Sequence, residues 1–208
     1  MNARALRQGE AMLSRTLPKI ILASQSPARK MVLEAEGIEV TVRPTWAHEE
    51  HSCTDARDVV TTLSRRKLDS ALAQNGETLL PVLACDTIIA IDGVLMGKPS
   101  SVEEARLQLK RLCRGTQEVW SAWALYRDGA VIGGADMAIV HFKALDDAAI
   151  EEYLALGEWM GAAGAYRIQG RGRSLIASIE GDENVIIGLP LAQMKRTLSG
   201  GLRPLPHL

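Results

Sequence analysis

Asp86 stands where a carboxylate is costly. It divides Pro81-Val82-Leu83-Ala84-Cys85 from Thr87-Ile88-Ile89-Ala90-Ile91, a run apolar on successive positions. Such a run reads as a strand buried on both faces, and an ionised carboxylate inside it needs a cation, a metal or several hydrogen-bond donors. Pairing with a nearby arginine would meet that need. A metal ligand or general base would meet it and also do chemistry, and this second reading is preferred. Lys67 raises a related question, because it shares the apolar stripe of its helix with Val60 and Leu63. Its ammonium either snorkels outward or turns inward toward a phosphate or carboxylate. Lys98, within Gly97-Lys98-Pro99, follows the hairpin signal Asp92-Gly93 and comes near Asp86 if that hairpin folds back.

The segment Ser24-Gln25-Ser26-Pro27-Ala28-Arg29-Lys30 lies where a strand gives way to a helix. Free N–H groups at a helix start attract anions, and the hydroxyls of Ser24 and Ser26 with the cations Arg29 and Lys30 add donors and charge. A capped helix alone would account for Ser26 and Pro27. It would not account for cations in a first turn, where the helix dipole disfavours them. An anion site does.

Other patterns fail on spacing. His48-Glu49-Glu50-His51 places its histidines three apart rather than the four of a zincin helix. Gly170-Arg171-Gly172-Arg173 precedes a strand and lacks the third glycine of a dinucleotide fingerprint. Gly97-Lys98-Pro99 lacks the upstream glycine and following hydroxyl residue of a Walker A loop, and no G-x-S-x-G elbow surrounds Ser24 or Ser26.

The elements that must position these residues read as follows. Strands are expected at 19–23, 38–42, 81–91, 118–126, 131–142 and 174–179, and helices at 28–36, 55–73, from the capping box at Ser101, 146–156 and 190–198. Hairpins at Asp92-Gly93 and Asp128-Gly129 interrupt the alternation, which points to a mixed sheet rather than a parallel one. The 208 residues suffice for one α/β domain, expected over 17–198 between an N-terminal extension (1–16, poorly ordered) and a C-terminal tail (199–208). A composition of 47% hydrophobic and 24% charged residues with net charge −1 argues against a dedicated nucleic-acid binder. Cys53, Cys85 and Cys113 form no CxxC pair and suit a reducing cytoplasm. No run reaches the ~20 apolar residues of a membrane span, and 1–16 lacks the apolar stretch of a secretory signal.

Taken in order, Leu22-Ala23-Ser24-Gln25-Ser26-Pro27 with Arg29, Glu49 after Pro44, Lys67, Cys85-Asp86-Thr87, Gly97-Lys98-Pro99, Gly164-Ala165-Tyr166-Arg167-Ile168-Gln169-Gly170 and Ile187-Gly188-Leu189-Pro190-Leu191 resemble the Maf family of nucleotide pyrophosphatases over residues 19–198. The resemblance implies an elongated mixed β-sheet flanked by helices, with two lobes and a cleft between them. It implies that nucleoside triphosphates are cut to monophosphate and pyrophosphate with Mg²⁺ or another divalent cation such as Mn²⁺, in a cytoplasmic homodimer. By the same likeness Ser24, Ser26, Arg29 and Lys67 hold the triphosphate, Glu49 and Asp86 bind the metal or activate water, and Lys98 orients the reacting phosphate.

Thr87 and Gln169 match the family branch that resembles dTTP/UTP hydrolases, which carries arginine where this chain has Ala28. The other branch resembles 7-methyl-GTP hydrolases, for which Trp46 would supply a stacking wall. A nucleotide-binding regulator of septum formation with weak hydrolysis is a third reading; the joint presence of Glu49, Asp86 and Lys98 speaks for catalysis. Gly161, Ala162 and Gln117 also depart from the branch pattern.

Overall fold

The computed structural model describes residues 12–47, 50, 53–75 and 79–200. A short helix α1 (Met12–Thr16) leads into β1 (Lys19–Leu22), α2 (Pro27–Ala35), β2 (Glu39–Val42), α3 (Ala56–Asn75), β3 (Val82–Ile91), β4 (Val94–Met96), α4 (Val102–Leu112), β5 (Thr116–Arg127), β6 (Ala130–Phe142), α5 (Asp147–Ala155), β7 (Ile176–Glu180), α6 (Glu183–Ile187) and α7 (Leu191–Ser199), with 3₁₀ turns at Ala163–Ala165 and Arg171–Leu175. The sheet runs β2-β1-β3-β5-β6-β7, with β4 attached to β3. β2, β1 and β3 are parallel, and the remaining pairs are antiparallel. The fold is thus a mixed sheet flanked by helices.

Part of the stretch read as an extension is built into the domain. Leu13 of α1 and Leu17 are buried against Ile20, Leu33 and Met194, so α1 closes one edge of the core. Residues 1–11, and the tail from 201 onward, lie outside the described residues. The 3₁₀ turn at Arg171–Leu175 also takes the start of the last expected strand, which begins at Ile176 instead.

β3 holds the two lobes together. Its even-numbered residues Val82, Ala84, Ile88 and Ala90 pack beneath α3, against Val59, Val60, Leu63, Leu68 and Ala71. On the opposite face Leu83 and Cys85 belong to a cluster with α1, α2 and α7, whereas Ile89 and Ile91 belong to a separate cluster with α4 and α5. Thr87 falls between the two clusters. The strand's free edge tells the same story. β1 pairs with β3 only at Val82 and Leu83, and β4 only at Ile89 to Ile91, so the edge between them carries no neighbouring strand. A cleft opens over that gap.

Candidate active site

The cleft has a volume of about 610 Å³ and is lined from one lobe by Ala23 to Pro27, Arg29, Thr45 to Ala47 and Lys67, along its floor by Cys85, Asp86 and Thr87, and from the other lobe by Lys98 and by Gly161, Ala162 and Tyr166 to Gln169 among others. The sequence-derived candidates Ser24, Ser26, Arg29, Lys67, Asp86, Thr87, Lys98 and Gln169 therefore meet in one place, and Lys30 is not among the lining residues. Glu49 lies outside the described residues. Ala28 is half-buried and is not among the lining residues.

Ser26 caps α2, its Oγ accepting from the Arg29 amide at 3.3 Å, and Pro27 occupies the first turn where no donor is lost. Ser24 Oγ accepts from the Ser26 amide at 3.2 Å. The two cations that looked misplaced part company here. Lys30 turns outward to Glu34 at 3.1 Å. Arg29 turns inward, and its guanidinium is taken up by the protein itself. Nε donates to Gly188 O at 2.8 Å, Nη1 to Ser24 Oγ and Cys85 O at 3.0 Å each, and Nη2 to Thr87 Oγ1 at 3.0 Å. Arg29 thus ties the turn, the floor and the Gly188 corner together, a role the local sequence gave no sign of.

Asp86 is 7% exposed, and its partner is the Lys67 ammonium rather than an arginine. Lys67 reaches it from α3, which packs across β3, so the inward reading of this lysine holds. Their side chains are 14% and 10% exposed, and at that burial a charge needs a partner, which each supplies to the other. Beside them burial pushes the Cys85 thiol up to about 11, a shift that the nearby Arg29 charge only partly opposes, so this thiol stays protonated at neutral pH.

The opposite wall is organised by Glu158. Its carboxylate accepts from the amides of Arg171 (3.0 Å) and Gly172 (3.3 Å) and from the Tyr153 hydroxyl (3.3 Å), which in turn accepts from the Arg167 amide at 3.1 Å. Burial raises the Tyr153 phenol well above its usual range and keeps it a neutral donor. Gly172 must be glycine, since a Cβ would lie 2.5 Å from the Arg167 carbonyl oxygen. Behind the wall Gln117 is fully buried and donates to Tyr166 Oη at 2.7 Å. The residue that departs from the branch pattern therefore supports a cleft-lining aromatic. Arg167 stands out in the sequence only as part of a motif. It also lines the cleft, its Nε and Nη2 bonded to the carbonyls of Glu158 (3.0 Å) and Met160 (2.6 Å).

Among the described residues no group of three His, Cys, Asp or Glu side chains gathers to hold a metal. Mg²⁺ does not require one, because it commonly binds through one or two carboxylates together with substrate phosphates. Asp86, as a cleft-lining carboxylate, fits that mode.

Residues 19–200 match the family model described as Maf-like protein. The chain belongs to the Maf family. Relatives in it include the dTTP/UTP pyrophosphatase of Pyrococcus abyssi, 33% identical over 90% of this chain and 98% of that protein. The dTTP/UTP pyrophosphatase of Halalkalibacterium halodurans is 37% identical over 86% and 94%. That of Thermus thermophilus is 37% identical over 90% and 97%. The Maf match spans every element from β1 to α7, and so contains the whole cleft.

Proposed function

We propose that this Maf protein hydrolyses dTTP, UTP or modified pyrimidine nucleoside triphosphates to the monophosphate and pyrophosphate, clearing unwanted nucleotides from the pool. One observation carries the reading: among the described residues, Arg29, Lys67, Lys98 and Arg167 line the cleft against a single carboxylate, Asp86. That imbalance suits a polyanion. The triphosphate lies against Lys67, Lys98 and the start of α2, where Ser24, Ser26 and the positive end of the helix dipole face it. Asp86 orients the attacking water or holds the metal, and Glu49 serves beside it. Mg²⁺, or Mn²⁺, held by Asp86, Glu49 and the phosphates would neutralise charge on the phosphate oxygens. Lys98 stabilises the charge that develops on the reacting phosphate. Gln169 on the cleft wall contacts the base. The kinship with enzymes named dTTP/UTP pyrophosphatases supports the pyrimidine preference.

The proposal includes a cytoplasmic homodimer. Free thiols at Cys53, Cys85 and Cys113 suit a reducing compartment, and among the described residues no helix is long and apolar enough to cross a membrane. Two-fold dimers are the commonest soluble oligomers, and light scattering of the purified chain checks this one. The activity is tested by pyrophosphate release with Mg²⁺ across dTTP, UTP, 5-methyl-UTP and 7-methyl-GTP. Release should be fastest with a pyrimidine nucleotide and stop on chelation of the metal. No release from any of them would overturn the reading, and preference for 7-methyl-GTP would move the chain to the other branch.

A further inference from the structure

Thr87 looks like a substrate contact, since it lines the cleft beside Asp86. Its hydroxyl is spoken for. Ser121 lies directly across from it in the β3–β5 register and is fully buried. A serine hydroxyl has one proton to give, and Ser121 gives it to the Val185 carbonyl at 2.7 Å, a group that can only accept. In the 2.7 Å contact between Thr87 Oγ1 and Ser121 Oγ, Thr87 must therefore be the donor. With its single proton committed, Thr87 meets Arg29 as an acceptor, taking Nη2–H at 3.0 Å. The bonds run one way: Arg29 to Thr87 to Ser121 to Val185 O. They also close on themselves, because Val185 belongs to α6, whose capping residue Gly188 accepts from Arg29 Nε at 2.8 Å.

We propose that Ser121, which does not line the cleft, is a positioning residue, the anchor of a hydroxyl relay that aims the Arg29 guanidinium and through it places Ser24 and the start of α2 against the phosphates. The inference rests on the cleft being the nucleotide site. Four of the five guanidinium N–H groups are spent on protein acceptors, which leaves Arg29 one donor and a placed charge to offer a ligand. Thr87, having no proton to spare, acts through Arg29 rather than on the substrate. Bonds in such a chain polarise one another, so loss of one link weakens the rest.

The test compares Ser121→Ala, Thr87→Val and the double variant, using steady-state pyrophosphate release and urea unfolding. Ser121→Cys, which keeps the volume with a weaker donor, stands in if the alanine variant does not fold. The relay predicts that each single change lowers kcat/KM about tenfold, roughly the worth of one hydrogen bond in the transition state, and that the double variant is no slower than either. It is overturned if Ser121→Ala turns over like the unaltered chain while Thr87→Val is slow, since Thr87 would then touch substrate directly. It is also overturned if the two losses multiply, or if Ser121→Ala changes only the urea midpoint. An unaltered chain that releases no pyrophosphate would instead sink the reading of the site, and the relay with it.

Discussion

The turn Ser24–Arg29 and the loop Gly157–Gly172 face each other across one cleft and are fixed by different means. The turn is held by bonds to distant parts of the chain: the Arg29 side chain reaches the carbonyls of Cys85 and Gly188 and the Thr87 hydroxyl, which in turn reaches Ser121. Each bond locks a functional group in direction as well as place. The loop is held from within by one carboxylate, Glu158, which gathers the amides of Arg171 and Gly172 and the Tyr153 hydroxyl. That fixes backbone, while the cleft-facing Tyr166 and Arg167 are held by separate bonds, to Gln117 and to the carbonyls of Glu158 and Met160. The first arrangement suits chemistry on phosphate, where misplacement of about 1 Å is costly. The second sets the position of a whole wall through one carboxylate.

Three substitutions probe that contrast. Asp86→Asn, on the floor that both walls share, should lower turnover by at least ~10²-fold while nucleotide affinity stays within about tenfold. Unchanged turnover would remove Asp86 from the mechanism. Gly188→Ala attacks the side-chain-held turn. Gly188 has φ +105°, and a Cβ there would lie 2.9 Å from Thr87 Oγ1 and 3.0 Å from Arg29 Nε and Nη2. The left-handed backbone alone should lower stability by about 1–2 kcal/mol in urea unfolding, and the displaced guanidinium should lower kcat. A variant with normal kcat would show that the turn does not depend on Arg29 for its alignment. Glu158→Ala should cost about 1–3 kcal/mol through the amides it strands, and raise KM several-fold with little effect on kcat, measured by initial rates. If kcat fell as far as with Gly188→Ala, the two walls would not differ as argued.

Where the sequence was legible, one residue type conflicted with its surroundings. A carboxylate in an apolar strand and a lysine on an apolar stripe are visible without coordinates, and Asp86 and Lys67 indeed explain each other. Caps and hairpin glycines are equally local, which is why the long elements fell within a few residues of their observed bounds. The parts that stayed hidden are short or distant. β4 spans three residues, and α1 and α6 five each, too few for a periodic pattern to declare itself. The commitment of Arg29 to protein acceptors, and the part played by Ser121, depend on partners brought together only by the sheet register and by α6. Glu158 reads as an ordinary surface acid until the loop closes around it.

The bond from Arg29 to Gly188 joins residues 159 positions apart. During synthesis a chain emerges from its N-terminus, so the turn, the floor and Lys67 all exist well before the corner that locks them. A nascent chain stopped short of Gly188 would carry Asp86, Lys67 and Ser24 yet lack the bolt that aligns them. The alignment of the N-terminal turn therefore waits on a carbonyl supplied near the C-terminal end of the fold.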